Sequence, residues 1–163
     1  MMRSAKWLRT VCGLAALVAV SLAMQSVCVA KEGERGEKAV SVNVVQVQAS
    51  NKGQDYIDPE LGDLGKRLKS KYPYKSFKKV GSQSSRGAMG QSLNYPLVGG
   101  MSLTLELVSA THDVLTTKAA VMRGAQEIVK TSLRVGYRQP VLISVPLEED
   151  LLILAITPSG GGD

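Results

Sequence analysis

The chain has 163 residues, 44% hydrophobic and 4% aromatic, with a formal net charge of +6. Both cysteines, Cys12 and Cys28, fall within the first thirty residues. A disulfide-stapled scaffold is thereby excluded for the rest, which must be held by an apolar core, and the length predicts one domain.

Residues 1–30 carry Arg3, Lys6 and Arg9, then the uncharged run "VCGLAALVAVSLAM" (11–24), then small residues through Cys28 to Ala30. This is the pattern of a secretory signal peptide, and its apolar run is too short to span a bilayer. The remainder, with no second long apolar run, is expected to be periplasmic or secreted and without a transmembrane segment. Residues 31–38, "KEGERGEK", are charged and lack large apolar groups, which predicts a flexible lead-in.

A β-rich domain is expected over 39–157. In "AVSVNVVQVQA" (39–49) valines recur with period two, then shift by one, which predicts a strand with a bulge near Val44 and Val45. Asp58 and Pro59 form a helix start, and Leu61, Leu64 and Leu68 recur at helical spacing, predicting a helix over 59–71. Gly62 and Gly65 each weaken it by roughly 1 kcal/mol relative to alanine, so its leucines must dock on a sheet. Strands are predicted at 74–84, 89–95, 101–109, 114–122, 127–135, 140–145 and 150–157, separated by glycine-containing breaks. Leu103, Leu105 and Leu107 share one face of their strand. "LLILAI" (151–156) does not alternate and should be central, covered on both faces. "PSGGGD" (158–163) is expected to be a loose tail. The fold class expected is mainly β, an antiparallel sandwich or barrel-like sheet with one short N-terminal helix, the alternative being α+β.

Charge is distributed unevenly. From residue 64 to 105 there are eight Lys or Arg side chains and no acid. Lys66, Arg67 and Lys69 lie opposite the leucine stripe, where a surface helix carries charge. Lys71, Lys75, Lys78 and Lys79 follow, and lysines on both faces of the strand mark it as an edge. Most of this charge is what a solvated surface carries. The same residues, with Tyr72, Tyr74 and Phe77 as aromatic contacts, form a candidate site for an acidic glycan, lipid headgroup or nucleic acid.

Catalytic and metal patterns are weak. His112 is the only histidine, and with no cysteine partner it reads as a turn residue; Asp113 beside it lacks a nucleophile to complete a triad. Ser76 and Lys79 fit the S-x-x-K form but fall on a predicted strand, where the penicillin-interacting enzymes use a helix. Glu148, Glu149 and Asp150 are contiguous, which suits a turn rather than a calcium loop. No enzymatic activity and no cofactor is expected.

The stretch from "IDPELGDLGKRLKSKYPYKSF" (57–77) through "LLILAI" resembles a group of small exported bacterial proteins of unknown function. The shared features are Asp58-Pro59, "YKSF", Ser82-Gln83 and the leucine-rich last strand; "GYRQPVLISVP" replaces that group's Gly-rich strand entry. The segment "TSLRVGYRQPVLISVPLEEDLLILAITP" (131–158) is similar to the final strands of outer-membrane secretins. The resemblances imply a β-rich envelope protein, with a partner in a secretion or assembly system. The expectation is therefore a non-catalytic, protein-binding or structural module of the bacterial cell envelope, the alternative being a polyanion binder.

Overall fold

A computed structural model describes residues 39–159. The signal peptide and flexible lead-in expected over residues 1–38, and residues 160–163 of the expected tail, lie outside the described residues. Of those described, 65% are strand and 13% helix, so the protein is mainly β. Two sheets pack face to face. One has the order β2-β3-β1-β9-β8, from Tyr56–Ile57 (β2), Ser76–Gly87 (β3), Val40–Ser50 (β1), Asp150–Ser159 (β9) and Val141–Leu147 (β8). The other is an antiparallel meander of Ser92–Leu97 (β4), Met101–Ala110 (β5), Val114–Arg123 (β6) and Gln126–Gly136 (β7). Every pairing is antiparallel except the two-residue β2 beside β3.

The shifted valines of β1 have a different cause from the expected bulge. Alternation along β1 is unbroken: Val40, Val42 and Val44 face the second sheet, while Val47 and Ala49 face outward and are buried as well. The outward half is covered by the helix, so apolar residues move to that face where the cover begins. The ladder irregularity lies on the neighbouring strand, where Gln46 pairs with Gly81 and Val47 with Lys79, leaving Val80 unopposed.

The helix is broken in two where one was expected. A 3₁₀ turn at Pro59–Leu61 ends at Gly62, whose φ of +49° suits glycine, and α1 then runs Gly62–Lys71. Asp58 accepts from the Glu60 amide at 3.0 Å and also from the Lys79 amide of β3 at 3.2 Å, fixing the turn to the sheet. Leu61, Leu64 and Leu68 dock, as their spacing predicts, on Val47, Ala49, Phe77 and Ile153. Gly65 permits the close approach: a Cβ there would stand 2.5 Å from Ile57 Cγ2.

The last strand is sandwiched between β1 and β8, with Leu152, Leu154 and Ile156 in the inter-sheet core and Ile153 under the helix. Its non-alternating sequence is thus the consequence of burial on both faces. It also extends past the expected tail boundary, since Pro158 and Ser159 pair with Val42 and Ser41.

Candidate binding site

The basic stretch is divided by the fold. Lys69 is half-buried; its ammonium lies 2.8 Å from Asp55 and donates to the carbonyls of Tyr74 and Lys75, tying the end of α1 to the turn after it. That hydrogen bond holds the Asp55 carboxyl below its ordinary value. Lys79 pairs with Glu60 at 2.9 Å and Lys66 with Asp63 at 3.4 Å. Arg67, Lys71, Lys75 and Lys78 are exposed, with no ion pair among the described residues. The aromatic contacts do not survive as a set. Phe77 is fully buried beneath the helix and cannot stack on a ligand, because its ring was recruited to the core. Tyr74 packs on the same cluster, and Tyr72 does so while sharing a 2.8 Å hydrogen bond with Ser144 of β8.

The edge predicted for β3 is partly realised. β2 covers it at Ser76 and Phe77, and Asp58 takes the Lys79 amide; beyond these, β3 is flanked on that side by the crossing to β4. Here Gln46 and Gln83 both donate to the Pro96 carbonyl at 2.9 Å, and Gln46 Oε1 accepts from the Val98 amide at 3.1 Å.

The opposite side of the sandwich has an open end. A cleft of about 1060 Å³ is lined by the β5–β6 turn (His112, Asp113), by Arg134, by the β7–β8 loop from Tyr137 to Pro140, and by the end of β9. The Tyr137 amide donates to the Asp113 carbonyl at 3.3 Å, joining the two loops. A second groove of about 450 Å³, bounded by Arg67, Ser70 and Lys71 of α1 and by Pro140, Val141 and Leu142, lies on the other side of the start of β8. Arg67, Lys71, Arg134 and Arg138 are thereby gathered around one strand end, with Asp113 the single acid among the lining residues. Both hollows meet the start of β8 at Pro140 and Val141; β8 is the last strand of its sheet, and its outer edge pairs with no other strand among the described residues.

The arrangement gathers positive charge around the start of β8. His112 and Asp113 are 3.0 Å apart, but their side chains are 88% and 86% exposed, so water screens the pair. Among the described residues no group of three or more His, Cys, Asp or Glu side chains is placed to hold a metal ion. No helix among them is long and apolar enough to cross a membrane.

The sequence reading missed Arg134 and Arg138. They sit in a stretch without a local run of basic residues, and only the return of the chain from β7 into β8 brings them near Arg67 and Lys71. The signal that was present is the loop "GYRQP", read only as a break. No protein family, curated protein or solved structure matches the chain.

Proposed function

We propose that this chain is an exported, non-catalytic module of the bacterial cell envelope that binds another protein. The observation that supports it most is the unpaired outer edge of β8, whose start meets two hollows that carry four cations. Exposed strand edges are a common way for one chain to take hold of another. The signal-like start supplies the compartment, and the secretin-like ending points to a partner in a secretion or assembly system. A photo-crosslinking residue in place of Gln139, which lines the cleft, should give a discrete protein adduct in native envelopes. The same residue in place of Ser132, which lines neither hollow, should not. Adducts from neither position, or equal adducts from both, would remove the reading.

A second reading, an acidic polymer as ligand, is favoured by the same convergence of Arg67, Lys71, Arg134 and Arg138. It makes affinity fall steeply with salt. Replacing Arg134 and Arg138 with glutamine should flatten that dependence more than replacing Lys75 and Lys78, which lie outside both hollows.

A further inference from the structure

We infer that the ligand of this edge is a short, extended, acidic segment of another protein, added to the first sheet as a strand beside β8. The inference rests on the protein-binding reading above and specifies the chemistry of the partner.

Hydrogen-bond direction along β8 follows from its hairpin. Leu147 pairs with Asp150 across a two-residue loop, and pairing continues with Pro146 opposite Leu151 and Val145 opposite Leu152. Backbone groups alternate in direction along such a ladder, so Leu147, Val145, Ile143 and Val141 turn toward β9. Pro146, Ser144 and Leu142 turn outward. Pro146 has no amide hydrogen, and its carbonyl accepts from Arg123 Nη2 at 3.0 Å. Leu142 and Ser144 remain, with two amides and two carbonyls, a window matching about four residues of an incoming strand.

The other sheet borders carry devices that discourage pairing. β3 is partly covered by β2 and bears Lys78 and Lys79. β4 has Pro96 next to its end, with the carbonyl taken by Gln46 and Gln83. β7 has Lys130 and an unopposed Ile128 where Val121 pairs with Val129 and Met122 with Glu127. Lysine, proline and bulges are the usual blocks on an edge. The Leu142–Ser144 window has none of them.

Charge selects the occupant. A strand laid about 4.8 Å from β8 sends successive side chains to opposite faces. On one face they meet the groove of Arg67 and Lys71 beside Leu142; on the other, the cleft at Val141, whose lining includes Arg138 of the β7–β8 loop. Acidic side chains are therefore matched on both faces, and a basic segment is repelled.

The test is fluorescence anisotropy of the purified chain with a synthetic peptide of repeated Glu-Glu-Val-Val, which places acids on both faces of a strand. Its controls are a Lys-for-Glu version, a version N-methylated at alternate amides, and dextran sulfate. The acidic peptide should bind, about five- to tenfold more tightly than the N-methylated one, since each blocked amide forfeits a hydrogen bond. The Lys version should not bind, and Arg134→Gln with Arg138→Gln should weaken the acidic peptide severalfold. Equal binding of the N-methylated peptide, with dextran sulfate displacing both peptides alike, would overturn strand addition in favour of a polyanion surface. Concentration-dependent dimers abolished by Ser144→Lys would show the occupant to be a second copy, also overturning it. If the acidic peptide fails while the Gln139 crosslink succeeds, this inference falls and protein binding stands; if both fail, both fall.

Discussion

The two lateral sides of the sandwich solve the same problem differently. On the β3/β4 side the sheets are stitched by side chains: Gln46, only 2% exposed on the core face of β1, and Gln83 share the Pro96 carbonyl. On the β7/β8 side the one comparable stitch among the described residues is at the lower end, where Arg123 reaches the Pro146 carbonyl. Above it the side opens into the cationic cleft. A buried glutamine, following three buried valines on the core face of β1, is the cost of closing one side; the other is left open, with Arg138 of the β7–β8 loop in its lining. Closure and recognition are assigned to opposite borders of one core.

The largest effect should come from breaking the closed side. Gln46→Leu leaves the Val98 amide without its partner and takes one donor from Pro96, and should cost about 2 kcal/mol in urea unfolding. Binding at the β8 edge should be unchanged. Arg123→Ala breaks the stitch on the open side and should cost about 1 kcal/mol by the same measurement. It also frees the Pro146 carbonyl, lengthening the edge window, so the acidic peptide should bind slightly more tightly. The β8–β9 hairpin sharpens the comparison in the other direction. Glu148 holds φ +52° there, a conformation glycine adopts without strain, so Glu148→Gly should raise stability by about 0.5–1 kcal/mol.

The smallest effect is one of pH. The side chains of Ser50 and Gln48 hold the Asp150 carboxyl below its ordinary 3.8, with Gln48 Nε2 at 2.6 Å from Oδ2. The unfolded chain then takes up this proton at a higher pH than the folded one. Its contribution is present above that value and is lost as pH falls through the folded-state pKa. Asp150→Asn should therefore make the acid limb of a stability-against-pH curve shallower. The Asp55–Lys69 pair contributes in the same direction and remains in that variant.

Much of the architecture was legible in residue order because burial leaves a periodic trace. Leu61, Leu64 and Leu68 announced a helix docked on one face, Leu103, Leu105 and Leu107 a strand buried on one side, and "LLILAI" a strand buried on both. The trace misled where two causes give the same pattern. A one-residue shift in apolar phase fits a bulge, and it fits equally a straight strand whose outer face passes beneath a helix, which is what β1 does. The candidate site was less legible. The basic run drew attention to Lys66, Lys69 and Lys79, which the fold uses in ion pairs, and to Phe77, which it buries.

Sequence by itself determined a cysteine-free, mainly β domain with one docked helix, because hydrophobic spacing is set locally by the pitch of helix and strand. Only the tertiary structure decided which strand border stayed open and which cations surround it. Arg67 and Lys71 stand some seventy residues before Arg134 and Arg138, and their approach to one strand end depends on the pairing of β9 with β1, a long-range choice that no local pattern encodes.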